Sequence, residues 1–367
     1  MIDTMKELKE LFKKPCPKKL YHYTNKNAFK GIISNQEMWA THIRFMNDTE
    51  EQKLALDLLK KQVPDIFAKK NVNIEKLQKN IEHFVFLEML RKGIYILSFS
   101  EKKDDLGQWR GYGSLMPSFC LELDTDKFKS SFVSELKNEN MKNKDSFRMS
   151  DIIDFSELNE NIFDFLNTDE KKQKFYLLPC IYNHSEQIKL INEILTDSYK
   201  KIEYLDNEKS EKNLAKEIAK RFVFYCPLIK NESFECEAEW RVIILYEKTF
   251  DYTKKKKVDD EIEDADEPNE SQEAFKEYLE DECENIKGFV KLDEQLLSSR
   301  EGFLCDIPFF KFEIKHKCFT KVLIGSCFDK DVVVNWTLKF LFDNDFKLNS
   351  DMNLVEYTKI PYRSWKL

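Results

Sequence analysis

Along the chain, short runs with apolar side chains at every second position or in continuous blocks alternate with longer runs in which they recur every three or four residues. Leu20-Tyr21-His22-Tyr23-Thr24 reads as a short strand leading to Asn25, an N-cap for a helix from Lys26 to about Ser34. Met38 to Thr41 reads as a second strand. Arg44 to Asp48 then turns into a long helical region with Leu54, Leu58 and Leu59 at helical spacing, and a further helix covers about Ile81 to Arg91. Gly93 to Ser100 is apolar, β-branched and aromatic enough for a buried strand; it ends in the charged loop Glu101 to Asp105, and Phe119 to Asp124 supplies a partner strand.

From Asp126 to about Arg221 the pattern turns polar and helical, broken by a strand at Phe175 to Tyr182. A clear strand follows at Ala238 to Tyr246. Lys254 to Lys257 and the Asp- and Glu-dense run Asp259 to Glu284, which carries Pro268, are charge blocks of the kind that stay solvated. Strands resume at Pro308 to Ile314, Lys321 to Ile324 and Asn353 to Tyr357, with a helix from about Lys330 to Phe342. No regular βαβ rhythm links these elements, so the pattern predicts an α+β fold with a mixed sheet. Its expected organisation is a basic leader at 1–19, an N-terminal half of the core at 20–125, a mainly helical insertion at 126–233, and a C-terminal half at 234–367 with an acidic loop at about 254–285.

Composition narrows the function classes. At 367 residues, 42% hydrophobic and 13% aromatic, the chain can bury a large core. No apolar run approaches the roughly 18 to 20 residues of a membrane span, and the Lys-rich start has no apolar segment of a secretory signal, so a cytoplasmic protein without membrane contact is expected. Nine scattered cysteines, none in a C-x-x-C pair, read as reduced thiols, and no histidine has a partner four residues on, so no metal is assigned. A net charge of −8 disfavours a surface built on nucleic-acid phosphates. With only eight glycines, the chain has no phosphate-loop or dinucleotide fingerprint.

Four islands could carry chemistry. His22 and Thr24 share one face of their strand and Tyr21 and Tyr23 the other, so His22 could bond a ribose hydroxyl or an amide, or simply be a satisfied histidine at a strand end. Ser98 and Ser100 share a face opposite Tyr95, Leu97 and Phe99. Trp109 and Tyr112, three residues apart, are neighbours on a helical turn and could stack on a planar ligand or plug the core. Phe234 to Ile243, taken as one strand, would place Glu235, Glu237, Glu239 and Arg241 on one face at steps of roughly 6.5 to 7 Å. Three aligned carboxylates raise the pKa of at least one unless Arg241 or another cation intervenes, and they suit a developing cation such as an oxocarbenium centre. A charged outer face fits the same residues.

Taken in order, His-Tyr-Thr, Phe-Met-Asn-Asp, Ser-Phe-Ser, Trp-x-x-Tyr and Glu-x-Glu-Trp-Arg resemble a widespread bacterial family of unknown function, over roughly Leu20 to Ile324. The opening Leu20 to Ile33 also resembles the first strand and helix of ADP-ribosyltransferases, whose diphtheria-toxin-like members use a His, Tyr, Glu set. That resemblance implies a split mixed-sheet core with a large helical insertion and NAD as substrate. It implies His22, Glu239 and, as close second, Glu237 in catalytic roles, with Tyr23, Thr24, Ser98, Ser100, Trp109, Tyr112 and Arg241 around NAD. The paired tyrosines of the diphtheria-like clamp are not evident, and Trp109 and Tyr112 stand in by chemistry. Ser98-Phe99-Ser100 resembles the Ser-Thr-Ser strand of arginine-specific transferases, whose opening arginine is replaced here by His22. The implied activity is ADP-ribosyl transfer, to a protein more readily than to nucleic acid, or NAD hydrolysis, in an intracellular toxin or phage-defence setting. Two other readings remain: a catalytically silent nucleotide sensor, and a scaffold whose acidic segment recruits a basic partner.

Overall fold

The computed structural model describes residues 14–46, 50–112, 117–128, 152–153, 175–202, 208–247, 297–300, 307–346 and 354–361. Its strands are β1 (Lys19–Asn25), β2 (Glu37–His42), β3 (Lys92–Ser100), β4 (Ser118–Asp124), β5 (Ile152–Ile153), β6 (Phe175–Pro179), β7 (Glu239–Glu247), β8 (Leu297–Arg300), β9 (Ile307–Glu313), β10 (Phe319–Ile324) and β11 (Val355–Tyr357). The helices are α1 (Lys26–Asn35), α2 (Glu50–Phe67), α3 (Ile74–Arg91), α4 (Leu106–Tyr112), α5 (His184–Lys201), α6 (Glu208–Tyr225) and α7 (Lys330–Asp343). Asn25 caps α1 as the sequence predicts, its Oδ1 accepting from the Ala28 N–H at 3.0 Å. The helix expected from Ile81 begins earlier, at Ile74: Asn73 accepts from the Lys76 N–H at 3.0 Å, and Leu77 joins Ile81 and Phe84 on the buried stripe.

All eleven strands form one mixed sheet, ordered β11-β10-β4-β1-β3-β2-β9-β8, with β7 also on β3 and β6 and β5 continuing from β7. The β10–β11 and β5–β6 pairs are parallel and the others antiparallel. Alternation along β3 and β7 directs Ile94, Ile96 and Ile243 into a core with α2, α3, α5 and α6. Tyr95, Leu97, Phe99, Trp240 and Val242 point the other way, into a second core with Phe29 of α1 and Leu341 of α7. The sheet is therefore filled on both faces, and most of its strands read as continuous apolar runs for that reason.

The sheet is incompletely paired along one edge of β3, which meets β2 only at Ile96↔Thr41 and Tyr95↔His42. Strand β1 pairs with β4 along its whole length but with β3 only at Tyr21↔Ser100, whereas β3 pairs with β7 from Lys92 to Ser100. Past Tyr21 the two strands diverge, and the His22 ring spans the gap to the Ser98 carbonyl at 3.0 Å. A carbonyl can only accept, so Nδ1 carries the proton.

The acidic segment 254–285, most of the leader, Asn47-Asp48 and most of the polar stretch after Phe128 lie outside the described residues. Among the described residues no helix is long and apolar enough to cross a membrane.

Candidate functional site

The expectation of one strand from Phe234 to Ile243 does not hold. Asn231 caps a 3-10 turn over Glu232–Glu237, Ala238 takes a left-handed conformation at φ 45°, and only then does β7 begin. A non-glycine residue there costs about 1–2 kcal/mol. That conformation is held by the Ala238 carbonyl accepting from the Glu101 N–H at 3.0 Å. The polar capping of Asn231 wins over the alternation of Phe234, Cys236 and Ala238, and those apolar groups form no common face. Phe234 and Cys236 are exposed.

The left-handed step brings Glu237 and Glu239 to the same cation from different elements. Lys230 Nζ lies 2.5 Å from Glu237 Oε2, 2.7 Å from Glu239 Oε2 and 3.5 Å from Glu51 Oε1. Arg241 is 1% exposed and uses all five of its N–H donors: two on Glu239 at 2.9 and 3.0 Å, two on Glu51 at 2.8 and 2.9 Å, and one on the Pro227 carbonyl at 2.5 Å. The buried cluster thus holds three carboxylates against two cations and carries a formal charge of −1. Glu239 has both oxygens occupied, while Glu237 meets Lys230 and has a side chain 20% exposed.

Burial alone would raise the Glu239 carboxyl, but Arg241 and then Lys230, by charge and hydrogen bond, outweigh it and hold the group at about 2. Intervening cations thus remove the upward shift expected of aligned carboxylates. Burial would likewise lower Lys230, but Glu239 and Glu237 raise it well above an ordinary lysine, so it stays protonated. Burial pushes the Cys180 thiol up and makes it inert, although its Sγ lies 3.7 Å from Glu239 Oε2. Tyr112 is exposed yet feels the cluster: partial burial and then the Glu237 and Glu239 charges push its hydroxyl up to about 12.

The remaining candidates divide by face. Cross-strand partners share a face, and the rung Glu122–Tyr21–Ser100–Glu239 runs through β4, β1, β3 and β7. Ser98 pairs with Arg241 on that same face, and its buried Oγ has no hydrogen-bond partner among the described residues. Ser100 is committed: its hydroxyl donates to the Glu237 carbonyl at 2.7 Å and accepts from the Lys102 N–H at 3.0 Å. Tyr23 and Trp109 meet edge to face at 4.8 Å. Trp109 is 1% exposed with its indole N–H on Asp104, which makes it a core plug closed to stacking and leaves Tyr112 as the open aromatic of the pair.

By alternation His22 and Thr24 lie on the opposite face from Glu239, with the His22 ring 5.8 Å from Phe99. The structure brings Glu237, Glu239, Arg241, Ser98, Ser100 and Tyr112 together. His22 reaches them only through the backbone of Ser98. Burial lowers the His22 pKa against the raising effect of its Ser98 bond, so the ring is neutral at pH 7 with Nε2 as an acceptor.

Sequence reasoning missed Glu51, Lys230 and Tyr182, whose hydroxyl accepts from the Glu239 N–H at 2.9 Å. Signals for two of them were present. Glu51 falls four and eight residues before Ala55 and Leu59, on the buried stripe of α2. Lys230 ends the apolar run that starts at Phe222.

Residues 108–242 match the family described as "Protein of unknown function (DUF2971)". That span starts in α4 and ends in β7, so it encloses Tyr112, Lys230, Glu237, Glu239 and Arg241 and leaves out His22, Ser98 and Glu51. Neither a curated protein nor a solved structure matches the chain.

Proposed function

We propose that this protein cleaves the nicotinamide–ribose bond of NAD, passing ADP-ribose to an acceptor or to water. The observation that carries the reading is the division of labour in the cluster: Glu239 is saturated and buried, while Glu237 presents the cluster's net negative charge toward solvent. Heterolysis leaves the bonding electron pair on the nicotinamide nitrogen, neutralising its pyridinium charge, and puts positive charge on the ribose. A fixed negative group beside that position stabilises the transition state more than the ground state, where the charge lies on the ring. Glu237 takes this role and Glu239 positions it through Lys230. The reading moves the catalytic assignment from Glu239, which the family resemblance favours, to its neighbour. Tyr112 offers an aromatic face beside the carboxylates. His22, on the other face of the sheet, supports this site through its hydrogen bond to the Ser98 carbonyl rather than by touching the ribose. The attacking nucleophile loses its proton after the new C–O or C–N bond forms, and Glu237 is the nearest base for it.

The test is nicotinamide release from NAD by the purified protein, with and without cell extract as a source of acceptor. Glu237→Gln is expected to lower release at least about 100-fold with NAD affinity and unfolding midpoint retained. Glu239→Gln lowers activity and stability together. Extract-dependent release assigns transfer, and extract-independent release assigns hydrolysis. Saturable NAD binding without any release by the wild type would replace this reading with a nucleotide sensor, which the saturation of Glu239 favours.

A further inference from the structure

Helix α7 packs Thr337 and Leu341 inward and leaves Val332 and Phe342 outside. Phe328, just before the N-cap Asp329, is 86% exposed, Val332 61% and Phe342 70%, the three most exposed large hydrophobic residues described. At 3.6 residues per turn Val332, Asn335, Lys339 and Phe342 form one narrow face, with Asp331 and Leu338 along its edge. Single exposed apolar groups are ordinary, but two on one helix face with a third just before its N-cap mark a contact surface.

The order of side chains along this face says what the partner is. Reversed about Asn335, the helical face reads back onto itself: Val332 falls opposite Leu338 and Asp331 opposite Lys339, while Phe328, just outside the helix, precedes Asn335 by the seven residues by which Phe342 follows it. Asp331 and Lys339 are both exposed. Lys339 reaches Asp343 of its own helix at 3.3 Å, with 76% of its side chain still exposed. A surface that complements its own reversed copy in both apolar and charged positions is what a two-fold contact requires, because each residue i that meets j must also be met by j. We propose that two copies of this chain associate through antiparallel α7 helices, with the two-fold axis at Asn335. Paired asparagines there can hydrogen-bond each other and fix the register, as a polar residue in a helix seam does. One short helix pair is a small interface, so the dimer is weak and in concentration-dependent exchange with monomer. The proposal is independent of the NAD reading.

Sedimentation of the full-length protein across the micromolar range tests it. The wild type is expected to rise with concentration from the 43.9 kDa monomer toward twice that mass. Val332→Glu, which places an acid favourably in the first turn of the helix and so leaves the fold intact, is expected to hold the protein at the monomer mass. Asp331→Lys and Lys339→Asp each set two like-charge contacts across the axis and weaken association at least about tenfold. Together they restore it. Residues 331 and 339 are eight apart and do not touch within one helix, so rescue by the double variant can only come from contact between copies. A wild type that stays monomeric, a dimer indifferent to Val332→Glu, or a double variant no better than the singles would each overturn the proposal.

Discussion

Glu122 and Glu239 are 1% and 5% exposed, face the same way on one rung of the sheet, and are kept ionised by different means. Glu122 holds Lys19 at 2.6 Å, and that lysine is 49% exposed; the Thr320 and Tyr21 hydroxyls donate at 2.7 and 3.3 Å. Glu239 is met by Arg241 and Lys230, whose side chains are 1% and 5% exposed. A carboxylate whose cation can return to water is cheap to maintain. One whose cations are themselves buried needs the whole set to be complete, since every missing member strands a charge. The first arrangement is an anchor at a sheet surface, and the second is a preorganised electrostatic site.

The sharpest way to break the contrast is Arg241→Met, which leaves Glu51 and Glu239 without their shared guanidinium. It is expected to cost about 3–5 kcal/mol in chemical denaturation. Glu122→Gln retains a partial hydrogen-bonding set and is expected to cost about 1–2 kcal/mol. Lys19→Ala, which removes a half-exposed partner, should cost at most about 1 kcal/mol. If Arg241→Met proves no more costly than Glu122→Gln, the cluster is not an interdependent unit.

Acid titration separates the same two groups. Because the folded Glu239 lies at about 2, below its ordinary 4.5, its contribution is present above pH 4.5 and lost as the pH falls toward 2. Burial would raise Glu122, but Lys19 and Thr320 lower it, so its contribution also fades on acidification. Stability measured over this interval should lose much of its slope in the Arg241→Met background and little in Lys19→Ala. The smallest effect belongs to His22. Its folded pKa lies below the ordinary 6.5, so the unfolded chain takes up the proton first and stability declines as the pH drops through 6.5. His22→Gln should flatten that part of the profile.

Local chemistry made much of the fold legible. Asn25 announced α1, the apolar blocks of β3, β4 and β7 were visible as strands, and the polar alternation of Ser98 and Ser100 placed both on the face they occupy. At the site, Glu239 and Arg241 were legible as neighbours on a common face. What the sequence hid came from distant pairings. Glu237 looked like the next step of a strand because nothing local reveals that Ala238 turns left-handed; the Ser100 and Glu101 contacts that hold the turn lie far back in the chain. Lys230 and Glu51 were invisible as a pair for the same reason. The family resemblance groups His22 with the glutamates in one constellation, although strand alternation relative to Tyr21↔Ser100 sets it on the other face.

The Arg241–Glu51 contact spans 190 residues. On a ribosome adding about 5–20 residues per second, Glu51 is made roughly 10 to 40 s before Arg241 exists. Through that interval β3 has no β7 to cover its edge, and Glu51 lacks the guanidinium that bonds both its oxygens. The nascent first half is therefore a natural client for chaperones that shield unpaired strands, and a truncation just before Glu239 should be captured by them where the full chain is not.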